Sequence, residues 1–505
     1  MAITEEARVL RSDYLVNHKS EFLYKTFCGI FHETACQYPD KMAVLCSDCA
    51  LTYRELDEYS NGFAKKMAEQ GFGSEDIIAI ESDRSVRTIV AMLGILKAGA
   101  AYLFLEEYYP RAGKQVAYDE CECRIVLKKD DLLAMDLVRD PEFVDRSAMD
   151  SLAILVYTSG STAAPKGVML ENRNLAAVIS NFDRFGFCET DKTCVFASFS
   201  FVASVFDIFA SLIVGAEICI IPEERRRKME LITEFYKLHH ITVSFLPPHM
   251  AMKFMEYDED EFDVRLLLVG SEPARNLKPK KYKILNVYAA SELCSLISCY
   301  EITTTEKSYP IGTLNPTVEG YIVDEEGRLV ADGEAGELWL AGPQVARGYM
   351  KRRIQTKAQF DRNPFSDCPG YARIYKTRDI VKRLPGGNLV FITRRDNMFK
   401  VRGFRIESGA VESAVLRCSA IKEVVVKAFE DSGGCNILCG YFVSDEAIDT
   451  KALKKELKKI LPYYMIPTCF IQLDEFPRNR NNKIDRGAIK PPKELDNHKL
   501  LEELY

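Results

Sequence analysis

From residue 151 to 300 the hydrophobic positions switch repeatedly between two periods. Short apolar runs at Ala153–Tyr157, Val195–Ser198, Ile218–Ile221, Thr242–Leu246, Leu266–Val269 and Ile284–Val287 have the length of buried strands. Between them, stretches with helical spacing begin near Asn174, Ala203 and Met229. This rhythm predicts an α/β fold, with a mainly parallel sheet and helices on its faces. Upstream, residues 20–70 read as a helix, a short hairpin that includes Leu51–Leu56, and a second helix. Met92–Ala98 is apolar at helical spacing, stops at Gly99 and leads into a strand at Ala101–Leu105. Toward the C-terminus, strands at Glu423–Ala428, Leu438–Val443 and Thr468–Leu473, with a helix over Lys451–Ile460, predict a small α+β domain.

Composition narrows the picture. A chain of 505 residues, 47% hydrophobic and 28% charged, is expected to form two or more globular domains. A net charge of −7 gives no support to nucleic-acid binding, and the basic run Arg225–Lys228 reads as a solvated loop. The start, MAITEEARVLRSDY, lacks an apolar signal region, which leads us to expect a cytoplasmic protein. The longest apolar stretch, Phe201–Ile221, contains Asp207, Gly215 and Glu217 and so predicts a buried helix and strand instead of a membrane span. Cys46-x-x-Cys49 and Cys121-x-Cys123 lack second pairs at zinc-ribbon spacing. The 16 cysteines are therefore expected to be reduced core and surface thiols.

Candidate chemistry centres on Leu155–Gly167, LVYTSGSTAAPKG. Thr158, Ser159, Gly160, Ser161 and Thr162 offer hydroxyls, N–H groups and close backbone approach, and Lys166 adds a point charge. That is the chemistry of a polyphosphate grip. Pro165 and Gly167 around the lysine exclude a P-loop of the Walker type. Two further loops follow predicted strands: Gly270-Ser271-Glu272, and Tyr288 through Glu292. In parallel sheets ligands bind beyond the carboxyl ends of strands, so three such loops would build a nucleotide site.

These segments resemble, in order, the signatures of adenylate-forming enzymes, the superfamily of acyl-CoA synthetases, luciferases and adenylation domains of nonribosomal peptide synthetases. The match extends through LTYREL, LKAGAAYLFLEEYYP, Gly336-Glu337-Leu338 to Ala346-Arg347-Gly348-Tyr349, Tyr375-Lys376-Thr377-Arg378-Asp379, Leu461–Pro467 and Asn481–Arg486. It covers about residues 45–490 and looks most like peptide-synthetase adenylation domains or the related D-alanine-carrier ligases.

The resemblance implies a large N-terminal domain, 1–395, with a β-rich subdomain, and a small mobile C-terminal lid, 396–505, hinged at Asp396. It also implies ATP and Mg2+ as cofactors. Tyr288 would stack on adenine, with Ser291 beside it, while Glu292 would hold magnesium. Asp379 would bind the ribose hydroxyls, Arg394 would lie near ribose and phosphates, and Lys483 would reach the substrate carboxylate and α-phosphate. Residues 336–349 would be largely architectural. Ala163, Ala289, Arg378, Thr393 and Asn482 stand where the family has glycine, and Ala290 and Ser291 replace its Pro-Thr.

By register with the family, the acyl pocket would be lined by Val202, Ala203, Phe206, Phe245, Leu267, Val269, Val287, Ser295 and Leu296. Amino-acid-activating members carry an aspartate at the position of Val202, where it pairs with the α-ammonium. An unpaired buried ammonium is costly, so the expected substrate is a small aryl, aliphatic, α-keto or α-hydroxy acid. Asp207 is expected to face away from the pocket. The implied activity is a ligase that forms an acyl-adenylate and passes the acyl group to a phosphopantetheine thiol. The acceptor would be a carrier protein in trans or on a removed extension, with neither nucleic acid nor membrane as partner. An amino-acid-activating domain with an atypical pocket, an acyl-CoA synthetase and a silent adenylate-binding scaffold are the alternatives.

Overall fold

The computed structural model describes residues 23–46, 49–158, 166–395, 398–401, 404–417, 420–431, 436–478 and 484–492. The chain divides into two compact units, one of residues 1–107, 118–157 and 167–395, the other of 108–117, 158–166 and 396–505. The fold is α/β, with a large N-terminal and a small C-terminal domain.

Near the start, the helix–hairpin–helix order is as expected, but the hairpin ends earlier. The strands are Met42–Cys46 and Cys49–Thr52, and Tyr53–Glu69 is already helix. Thr52 is the cap: its hydroxyl accepts from Glu55 N at 3.3 Å, and the Glu55 carboxylate accepts from Thr52 N at 2.9 Å. This reciprocal box starts the helix inside the segment that reads as a hairpin.

The first unit holds three sheets. In the nine-stranded sheet, Glu217–Ile220, Lys192–Val195, Val243–Leu246, Leu266–Gly270 and Lys283–Ala290 lie side by side and parallel. Ser295–Glu301 returns antiparallel to Lys283–Ala290. The six-stranded sheet places Ala101–Glu106 between Ile77–Ser82 and Leu152–Thr158, all parallel. The third is antiparallel and built on Ala335–Ala341, Arg373–Arg383 and Leu389–Arg394.

The strand expected at Val195–Ser198 instead ends at Val195. Buried Arg84 takes the carbonyls of Val195, Phe196 and Ala197 as acceptors, withdrawing them from sheet pairing. The apolar stretch after Phe201 is a short helix Val202–Val205, a wide π turn Phe206–Ala210 and a helix Ser211–Val214. Gly215 ends it at φ 83°, before the strand Glu217–Ile220. Among the described residues no helix is long and apolar enough to cross a membrane.

One buried polar network crosses the first core. Lys97, 1% exposed, donates to Asp57 Oδ1, Ser60 Oγ and Asn61 Oδ1, each at 2.7 Å. Asp57 Oδ2 meets His32 Nδ1 at 2.9 Å. This cluster pins helix Val86–Lys97 to helix Tyr53–Glu69.

The second unit contains a three-stranded sheet of Ile421–Glu430, Asn436–Ser444 and Cys469–Leu473, with helices Ser408–Leu416 and Thr450–Leu457. Asp449 caps the latter by accepting from Lys451 N and Ala452 N. That helix stops three residues before the expected Ile460, in a turn that precedes Pro462.

Candidate active site

The residues expected at the nucleotide are brought together in the first unit by strand register. Asp379 and Arg394 are direct partners across the antiparallel strands Arg373–Arg383 and Leu389–Arg394. Arg394 donates to Asp379 Oδ1, and the hydroxyl of buried Tyr288 donates to Asp379 Oδ2. Three residues expected at adenine, ribose and phosphate therefore meet around one carboxylate. Burial and the neighbouring Asp379 push the Tyr288 phenol well above its usual range, so it stays a proton donor. Asp379 N donates to Thr377 Oγ1 at 3.0 Å, which fixes the strand next to the carboxylate.

The replaced glycines divide into two kinds. Arg378 sits at φ 64°, in the left-handed region, with its N–H donating to Glu337 Oε1 at 3.0 Å. A glycine would hold this conformation without the roughly 1–2 kcal/mol that a side chain costs there. Ala289, by contrast, continues the extended strand Lys283–Ala290, as does Ala290 at φ −142°, which stands where the family has proline. Neither needs a glycine's freedom. The turn comes later, at Ser291–Leu293, and Cys294 takes the left-handed φ of 59°.

Gly270 ends its strand opposite Val287. A Cβ there would lie 2.6 Å from the Val287 carbonyl oxygen, so the position has room only for hydrogen. Ser271 follows at φ 75°, and Ser271 and Glu272 are half-buried.

Glu292 is fully buried in the turn after Lys283–Ala290. Its Oε1 accepts from the Tyr349 hydroxyl at 2.7 Å, and its carbonyl accepts from Ala346 N at 2.9 Å. The Gln344 amide donates to the carbonyls of Leu293 and Leu296 at 3.1 and 3.0 Å. The segment expected to be architectural thus braces the Glu292 turn. Sequence pattern alone did not couple them, because Tyr349 and Glu292 lie 57 residues apart.

A magnesium ion is compatible with this donor set. Among the described residues no three His, Cys, Asp or Glu side chains converge. Magnesium at a nucleotide site commonly takes one or two carboxylates and completes its shell with phosphate oxygens and water, and a single buried Glu292 fits that pattern.

Of the expected acyl-pocket residues, Val202, Phe206, Phe245, Val287 and Leu296 belong to one buried apolar cluster, with Ala203 packed against it. Phe206 is held edge-on between Phe185 and Phe187, at centroid distances of 4.9 and 5.3 Å. Leu267 and Val269 belong to the other cluster, which includes Cys194, Tyr236 and Leu246. Strand alternation is the reason: Phe245 pairs with Leu268, and Leu266 and Leu268 share its cluster. The structure therefore does not bring Leu267 and Val269 together with Phe206 and Phe245. Ser295 is buried, and its hydroxyl has no hydrogen-bond partner among the described residues.

Asp207 is 2% exposed, and its Oδ2 has no hydrogen-bond partner among the described residues. The charged and titratable groups that act on it or feel it are Arg84, Cys194 and Tyr236. Cys194 and Tyr236 belong to the cluster that holds Leu267 and Val269. Burial raises this carboxyl from its ordinary 3.8 to about 8, and Arg84 only partly offsets the rise. The folded state thus holds the proton more tightly than the unfolded chain does, so stability present below pH 4 is lost as pH rises toward 8. Asp207→Asn is expected to flatten that slope, with a gain of about 2–5 kcal/mol at pH 8 and little change at pH 3.5. Urea unfolding across pH checks this, and an unchanged slope would sink it.

The remaining groups belong to the second unit. Lys166, 3% exposed, pairs with a Glu407 carboxylate oxygen at 3.2 Å. Thr158 is buried, and its hydroxyl has no hydrogen-bond partner among the described residues. Ser159, Gly160, Ser161, Thr162, Asp396 and Lys483 lie outside the described residues.

The model of the AMP-binding enzyme family matches residues 31–350, and that of the AMP-binding enzyme C-terminal domain matches 410–483. The chain belongs to the AMP-binding enzyme family. As such it is an AMP-forming ligase of the adenylation type. It is 36% identical over 486 residues to bacitracin synthase 1 of Bacillus licheniformis, covering 93% of this chain and 9% of that protein. With tyrocidine synthase 1 of Brevibacillus parabrevis it shares 32% over 494 residues, covering 93% of this chain and 45% of the relative. The first of these relatives, and gramicidin S synthase 2 of Brevibacillus brevis at 11%, are thus roughly tenfold longer than the matched segment. Among solved structures, an artificially fused adenylation–PCP di-domain protein, NpsA-ThdA from Klebsiella oxytoca, superposes with a TM-score of 0.80 at 25% identity. That match covers 88% of this chain and 93% of the other.

Proposed function

We propose that this AMP-binding enzyme activates a carboxylic acid lacking an α-ammonium group and transfers it as a thioester to a phosphopantetheine carrier. The observation that carries the substrate reading is Val202 within the apolar cluster of Phe206, Phe245, Val287 and Leu296. Asp207, the nearest acid in sequence, is associated with Arg84, Cys194 and Tyr236 instead. An α-ammonium entering that lining would give up its hydration without gaining a counter-charge.

In the first step an oxygen of the substrate carboxylate attacks the α-phosphorus of ATP. The bond from that phosphorus to the bridging oxygen breaks, and pyrophosphate leaves with the electron pair. Asp379 receives the ribose hydroxyls, and Tyr288 and Arg394 hold its carboxylate. Lys166 and Lys483 supply positive charge to the phosphates and to the reacting carboxylate. Magnesium, when bound at Glu292, neutralises phosphate charge. In the second step a thiolate sulfur attacks the acyl carbonyl and AMP departs, leaving a thioester. Asp396 is the proposed hinge between the two steps. Carrier domains partnered with adenylation domains, as in the fused Klebsiella protein, support the choice of acceptor.

Carboxylate-dependent ATP–pyrophosphate exchange tests the reading with two panels, α-amino acids and acids without the amine. Exchange restricted to the second panel is expected. Exchange with an amino acid would refute the substrate reading, while silence with both panels alongside measurable ATP binding would refute the proposed activity.

A further inference from the structure

The tyrosine that closes the segment expected to be architectural is directed at the carboxylate on which the metal reading depends. Tyr349 is 2% exposed and lies in the two-residue strand Gly348–Tyr349, paired with Val168 and Met169. Its N–H donates to Thr356 Oγ1 at 3.0 Å, and a Cβ on Gly348 would come within 2.6 Å of the Thr356 methyl. The backbone there is fixed from both sides. The hydroxyl lies 2.7 Å from Glu292 Oε1 and 2.9 Å from the amide oxygen of Gln359, which is itself buried. A phenol has one proton and cannot donate to both. The carboxylate is the stronger acceptor. The arrangement that satisfies all three groups turns the Gln359 amide so that its NH2 donates to the phenol oxygen, leaving the phenol proton for Glu292.

We propose that Tyr349 is a positioning residue that holds the Glu292 carboxylate correctly turned for a divalent cation, and that Gln359 orients Tyr349. The inference rests on the reading of Glu292 as the metal-binding carboxylate. Three independent contacts converge on that turn: the Tyr349 hydroxyl on the side chain, Ala346 N on the Glu292 carbonyl, and the Gln344 amide on the carbonyls of Leu293 and Leu296. The two main-chain contacts set the turn. Of these three contacts, the phenol is the one made to the carboxylate itself. A donor that holds one carboxylate oxygen limits the directions available to the other, and residues with this relation to a ligand carboxylate typically change metal affinity 10–100-fold when removed.

The test is calorimetric titration of ATP into the full-length protein with and without Mg2+, for the wild type, Tyr349→Phe and Glu292→Gln. Wild type is expected to bind at least about ten-fold more tightly when Mg2+ is present. Glu292→Gln should lose that gain. Tyr349→Phe should lose most of it while keeping metal-free ATP affinity within about two-fold, with half-saturating Mg2+ raised on the order of ten-fold. If Glu292→Gln loses the gain and Tyr349→Phe keeps it, the positioning role is overturned and the metal reading survives. If Glu292→Gln keeps the gain, or wild type shows none, the metal reading falls and the positioning role with it. A parallel drop in both affinities for Tyr349→Phe would mean structural support only, and would also overturn the proposal. Should Tyr349→Phe fail to fold, Gln359→Leu carries the test. It retains the phenol but loses its orienting amide, and is expected to lose about three-fold of the Mg2+ gain; an unchanged gain overturns the relay.

Discussion

Replacing Lys97 with methionine is expected to destabilise the first unit by about 3–5 kcal/mol, the usual cost of stranding one member of a buried ion pair. Methionine keeps much of the side chain's bulk, so little of the loss should come from packing. What is removed is the donor that satisfies Asp57, Ser60 and Asn61 at once. Burial drives the Lys97 ammonium below its usual range, and the charge of Asp57 works against that trend, so the two depend on each other. His32 still reaches the far oxygen of Asp57, which softens the loss without replacing a full charge. Adding Asp57→Asn to Lys97→Met is expected to recover more than half of the deficit, because the abandoned charge goes too. Urea unfolding of the two variants decides the matter: equal losses would trace the effect to hydrogen bonds and packing and not to charge.

Asp379→Ala is expected to lower kcat/KM for ATP by about 100-fold or more, as two hydrogen bonds from ribose hydroxyls to a carboxylate are worth about 1.5–3 kcal/mol each. Tyr288 and Arg394 already donate to both oxygens of this carboxylate. Removing it leaves a guanidinium and a phenol facing each other across a gap. The diagnostic comparison uses 2′-deoxy-ATP. Wild type should discriminate against it, whereas Asp379→Ala should treat the two nucleotides nearly alike. A variant that still prefers ATP by the wild-type ratio would remove Asp379 from the ribose.

The order of elements was legible because strand and helix periods are local properties, and the parallel run from Lys192 to Ala290 needs nothing further. Boundaries moved where a distant side chain intervened, as Arg84 does at Val195, or where a local cap competed with an apolar pattern, as Thr52 and Glu55 do. The residues expected at the nucleotide could be nominated from motifs, yet their meeting at Asp379 depends on a cross-strand register that one-dimensional pattern does not carry. The pocket shows the same limit. Template register nominated Leu267 and Val269, but a strand shows alternate residues to opposite faces, and these two lie on the face away from Phe245. Tyr349 was hidden for another reason: its partner is reached through the fold and not through spacing.

The contact at Gly270 bears on how any mutational map of this protein should be interpreted. Even alanine there would press on the Val287 carbonyl, so every substitution displaces the neighbouring strand Lys283–Ala290. Such a position scores as indispensable in an activity screen while contributing no atom to the reaction. Its intolerance records how closely two strands approach, and chemistry should be inferred from neighbours whose replacements fit.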